Sequence, residues 1–145
     1  MTPSTTPELI AQECIAVRMR RLNRVITKLY DDALRPLGIK ASQLNILVVI
    51  GRSGLVRPAE ICKRLALEFS TVSRNADRMR ARGWIEFVDD ERDGRAHQLR
   101  LSDEGKRLIE KAKPAWEKAQ LKAADLLGGE GVSALLAAAN TAQAA

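Results

Sequence analysis

The chain has 145 residues, 46% of them hydrophobic but only 3% aromatic, and a formal charge of +6 from 24 basic and 18 acidic side chains. That size fits one domain, and an apolar share carried by Ala, Leu, Ile and Val favours helices over a sandwich or barrel. A sequence pI near 9.7 points to polyanionic partners, nucleic acid before membrane.

The two cysteines, Cys14 and Cys62, lie far apart and outside any CxxC spacing. This argues against a disulfide framework or a structural zinc site and fits a reducing, cytoplasmic setting. The start of the chain lacks the charged-then-apolar pattern of a signal sequence, and no apolar run is long enough to span a bilayer.

In chain order, Pro3 and Pro7 bracket an irregular tail. A long first helix is expected from Glu8 to Leu34, with Ile15, Met19, Leu22, Ile26, Leu29 and Ala33 forming one apolar stripe. Arg20, Arg24 and Lys28 line the opposite face, and Pro36-Leu37-Gly38 ends the helix. A second helix is expected over Ser42–Ile50, capped by Ser42, apolar nearly all round and stopped by Gly51 and Gly54.

Leu55-Val56-Arg57 reads as a very short strand, followed by a helix over Pro58–Leu65 with proline in its first turn. A tight turn at Ala66–Glu68 leads into a fourth helix, about Phe69–Arg82, with Val72, Ala76 and Met79 inward. Gly83 follows as a residue able to take positive φ. Trp84–Val88 and His97–Leu101 read as the strands of a hairpin, joined by a charged loop whose Asp93-Gly94 is a strong turn dipeptide. Ser102 caps a fifth helix with Asp103 and Glu104 in its first turn. Pro114 is expected to kink that helix and Gly128-Gly129 to break it before an Ala-rich last helix, Val132–Ala145.

Helix, helix, turn, helix and a two-stranded ribbon is the order of a winged helix-turn-helix. Its second short helix can stand proud of the core and enter the major groove. Ser70, Thr71 and Ser73 are short hydroxyl residues that allow close approach, and Asn75 shares the outward surface. Arg74 carries the planar fork suited to guanine O6 and N7, while Arg78, one turn on, suits a phosphate. From Phe69 to Gly83 there are arginines at 74, 78, 80 and 82 against the single acid Asp77, a local net of +3. In the wing loop, Arg92 is assigned to the minor groove, Asp90 to orienting it, and Arg95 to insertion or a phosphate. An enzyme is disfavoured, since the chain has one histidine, no clustered acid–base pair, no phosphate-binding glycine loop and no metal-ligand spacing.

Three blocks carry a family resemblance. The first is Thr71-Val72-Ser73-Arg74, then Asp77-Arg78-Met79 and Arg82-Gly83-Trp84-Ile85. The second is Asp90-Glu91-Arg92-Asp93-Gly94-Arg95, and the third is Leu99-Arg100-Leu101-Ser102-Asp103-Glu104-Gly105-Lys106. In this order the chain resembles the MarR-type transcription regulators over about residues 12–139. The resemblance implies a mainly α fold with a small β-hairpin wing, in one domain over 1–145. Segments 8–36 and 102–145 would form the dimerisation region and 41–101 the winged helix-turn-helix.

It further implies a homodimer that sets two reading helices about 10 bp apart on a pseudo-palindromic operator in double-stranded DNA. It implies a repressor without a cofactor, released by a small aromatic or anionic ligand. Arg20 and Arg24 are the candidate residues bordering that ligand, against a plain solvated helix face. A peroxide-responsive mechanism through Cys14, and a winged-helix adaptor that binds protein rather than DNA, are the alternatives. Tyr30, the only tyrosine, lies four helical turns from Cys14, which argues for an inert thiol.

Overall fold

A computed structural model describes residues 4–144, with side chains described for these except 93–95 and 144. Its elements in chain order are α1 (Thr6–Glu13), α2 (Ile15–Leu34), a 3-10 turn (Arg35–Leu37), α3 (Ala41–Ser53), α4 (Pro58–Leu65), α5 (Phe69–Ala81), β1 (Ile85–Asp90), β2 (Asp93–Leu101) and α6 (Asp103–Ala144). The fold is mainly helical with a β-hairpin wing, and the N- and C-terminal helices are in contact.

The expected long first helix is interrupted. Cys14 adopts φ −64° and ψ 112°, an extended conformation that ends α1 and starts α2. Along α2 the apolar stripe is half-buried at Leu22, Ile26, Leu29 and Ala33, where the helix lies on α6. The stripe's upper part, Ile15 and Met19, is exposed.

Helix α3 forms the centre of the core. Leu44, Ile46, Leu47, Val49 and Ile50 are all buried, so the nearly continuous apolar run has partners on most sides. Its bounds differ from expectation. Lys40, not Ser42, is the N-cap, and Gly51 continues the helix to Ser53 before Gly54 ends it at φ 76°. The helix packs close to β2 at Gly51: a Cβ would come within 2.9 Å of a terminal carbon of the Leu101 side chain, which would have to shift.

The turn between α4 and α5 is made by Ala66 at φ 52°, with its own N–H and that of Leu67 both closing on the Cys62 carbonyl. Helix α5 ends as expected at Gly83, φ 78°. Gly83 N–H donates to the Arg80 carbonyl and Trp84 N–H to that of Met79, the paired bonds of a Schellman motif.

Strands β1 and β2 pair antiparallel from Ile85 with Leu101 to Asp89 with His97, then shift register so that Asp90 faces Asp93. The strands therefore run further than expected and the turn falls at Glu91-Arg92 rather than at Asp93-Gly94. The short strand expected at 55–57 reduces to Val56, which exchanges both backbone hydrogen bonds with Leu99.

Ser102 caps α6: its hydroxyl accepts the Gly105 N–H and donates to the Gly83 carbonyl. Pro114 leaves helical backbone angles intact; among the described residues of α6 only Gly128 departs from them, at φ 72° and ψ 164°. The last segment is therefore a second helical piece, as the glycine pair suggests. Buried Leu108, Ala112, Ala119 and Ala123 mark the face of α6 turned inward.

A candidate nucleic-acid interface

Helix α5 is held by its buried face, Val72, Ala76 and Met79, against α3, α4 and β1. This leaves Ser70, Arg74 and Arg78 exposed on the other side, with Thr71, Ser73 and Asn75 half-buried on its flanks. Neither Arg74 nor Arg78 has an ion-pair partner among the described residues. Asn75 is partly committed: its side-chain N–H donates to the Thr71 carbonyl at 2.9 Å, leaving its oxygen available.

The wing is braced from two sides. Arg80, in the last turn of α5, places its guanidinium 4.4 Å from the centre of the Phe87 ring. His97 stacks on the same ring at 4.4 Å and 8° between planes, joining the two strands to the helix. Glu86 and Arg100, directly opposite in register, add a cross-strand ion pair at 2.7 Å.

At the wing tip, Asp90 is the one buried charged side chain among the described residues, 4% exposed. Its carboxylate accepts from Arg57 Nε at 2.6 Å and from the Arg92 backbone N–H at 3.0 Å. These bonds, the Arg57 side chain first, hold its carboxyl below the usual carboxylate range. Asp90 thus orients Arg92 through the backbone, and the guanidinium it grips is that of Arg57. The Arg92 side chain is exposed. Arg95 lies outside the residues whose side chains are described.

Arg57 was not among the sequence candidates. It is the N-cap residue of α4, 33 residues from Asp90, and no local pattern signals the pair. The Val56–Leu99 bridge brings them together by laying the α3–α4 connection along β2.

The residues suggested to border a ligand are spread out. Arg24 lines a polar hollow of about 360 Å³ along α2, with Lys28, Asp32 and Arg35. Lys28 and Arg35 there are both paired to Asp32. Arg20 and Cys14 line neither this hollow nor a larger one of about 1170 Å³ between α3, α4 and α6. The larger cavity combines Val48, Val49 and Trp116 with Arg52, Lys63 and Lys113. Cys14 is half-buried. The Tyr30 hydroxyl donates to Gln120 on α6, and burial raises its pKa.

A MarR family model matches residues 37–96, the stretch from the end of the 3-10 turn into the second strand of the wing. The multiple antibiotic resistance protein MarR of Salmonella typhimurium is 30% identical over 89 residues, 61% of this chain and 62% of that protein. The matched stretch thus spans a little under two thirds of that curated relative. A Mycobacterium tuberculosis transcriptional regulator, MosR, solved in complex with DNA, is 28% identical with a TM-score of 0.77, covering 91% of this chain and 98% of that one. A mutant of E. coli MarR complexed with operator DNA is 21% identical, and shares the fold with a TM-score of 0.82 over 96% of this chain and 99% of that one.

Proposed function

We propose that this chain, which matches the MarR family model over residues 37–96, is a MarR-type homodimeric, sequence-specific regulator of transcription that binds double-stranded DNA through a winged helix-turn-helix. The observation that carries the reading is α5 itself. It is a cationic helix with Ser70, Arg74 and Arg78 turned to solvent and its back packed on the core. Beside it stands a wing whose tip is set by a buried carboxylate. Arg74 reads a guanine edge, supported by Ser70, Thr71, Ser73 and Asn75. Arg78 neutralises a phosphate, and Arg92, with Arg95, enters the minor groove.

The regulator is a repressor whose grip is released by a small aromatic acid. The cavity between α3, α4 and α6 supports that class of ligand, with the Trp116 ring for the aromatic body and Arg52, Lys63 and Lys113 for the anion. It joins α6 to α3 and α4, the two helices behind α5 in the reading head, so a ligand favouring one spacing of the heads would shift the population away from the DNA-bound form.

The test is a binding titration of the purified protein against duplex DNA flanking its own coding region and against scrambled duplex, at two salt concentrations. Tight, sequence-dependent binding whose log K falls steeply with log salt is expected. Salt-insensitive or absent binding would favour the protein adaptor instead.

A further inference from the structure

Resting on the DNA-reading function just proposed, we propose that Phe69 recognises a thymine in the operator through its C5-methyl group. Phe69 is the first residue of α5 and its side chain is 63% exposed. Between residues 41 and 101 the other exposed large apolar side chains are Val48 at 39% and Leu55 at 44%. The remaining ones among the described residues all belong to α1, α2 and α6. The ring is therefore the largest apolar surface that the reading head leaves in water.

Folding does not require it there. The start of α5 is held by neighbours on either side: Leu67 packs against the core cluster, and Val72 is fully buried. Burying a phenylalanine stabilises a fold as much as burying almost any other side chain, and this position forgoes most of that gain. A side chain kept exposed at that cost is accounted for by a surface that covers it in a complex.

Its surroundings decide which surface. Ser70, Thr71, Ser73 and Arg74 follow directly, and no second large apolar side chain of α5 is exposed among the described residues. A protein partner would need a contiguous apolar patch, and among the described residues α5 offers no other large exposed apolar side chain to build one. The edges of base pairs in the major groove are polar except for one group, the thymine methyl, and phenylalanine is among the side chains that contact it. A lone ring at the leading end of a cationic, hydroxyl-rich helix matches that target.

The experiment uses the full chain and a duplex enriched by it from a randomised library. Each thymine is replaced in turn by deoxyuridine, which lacks only the methyl. Wild type is expected to lose about fourfold in affinity at one thymine per half-site, the worth of one buried methyl group. Phe69→Ala should bind the thymine and deoxyuridine duplexes equally, and Phe69→Leu should keep part of the preference. A wild type indifferent to every replacement, or a Phe69→Ala that retains the preference, overturns the assignment. Failure to enrich any sequence would instead bring down the DNA-reading function, and this inference with it.

Discussion

Asp90 is buried while Asp89 and Glu91 on either side are exposed, so one carboxylate out of three organises the wing tip. Its pKa is lowered on folding, by Arg57 first and then by the Arg92 N–H. The folded chain therefore binds that proton less tightly than the unfolded one, and ionisation favours the fold. The contribution is complete above the unfolded carboxylate pKa of about 3.9, and is lost as pH falls through the lower folded value. Urea titrations should show Asp90→Asn less stable than wild type by a constant margin at neutral pH. That margin should narrow below about pH 4. A pH-independent margin would mean that the pair with Arg57 carries no charge-dependent stability. For reading, Arg74→Ala should weaken specific binding by roughly 1–3 kcal/mol and relax one base preference, while non-specific affinity changes less. Equal discrimination before and after would remove Arg74 from the recognition set. Arg74 and Arg92 are nominated by residue type and spacing, and the fold leaves both side chains exposed. Arg57 is not so nominated, because its partner is brought to it by chain topology.

At the scale of elements, the sharpest constraint lies where α6 meets the wing. A Cβ on Gly105 would sit 2.0 Å from the Trp84 carbonyl oxygen, a backbone atom that cannot swing away. Gly105→Ala should therefore cost about 1–3 kcal/mol or more in chemical denaturation, as an overpacked site does. Gly129 is the contrast: it has nothing within 4 Å of a built Cβ and no positive φ. Gly129→Ala should be neutral or stabilising by up to about 1 kcal/mol, the difference in helix propensity. Opposite signs from one substitution type separate packing from propensity. Element existence was legible from periodicity, caps and turn residues, as α4 and α5 show. Boundaries were less so. Gly51 does not stop α3, since one glycine costs a helix about 1 kcal/mol and burial of five apolar neighbours outweighs it.

Over the whole molecule, apolar surface is distributed unevenly. The winged helix-turn-helix region closes its core, yet Ile10, Ile15, Leu121, Leu126 and Leu136 on the terminal helices stay at least half exposed. A second protomer is the proposed cover. Leu126→Glu combined with Leu136→Glu should weaken the dimer by about tenfold or more, seen as a shift to monomer in sedimentation, while the reading head keeps its fold. A wild type that sediments as a monomer at all concentrations would end the dimeric reading.

Periodicity, charge and three short motifs in register were enough, within the sequence itself, to indicate a MarR-type winged helix-turn-helix and to place the cationic helix beside a hairpin. Those features depend on local spacing along one chain. Contacts between distant segments were decided only by tertiary structure: Arg57 with Asp90, Arg80 with Phe87 and His97, and Trp116 beside α3 and α4. Exposure of Phe69 belongs with them. Whether a side chain is covered depends on which other elements the fold brings over it, and linear spacing does not encode that.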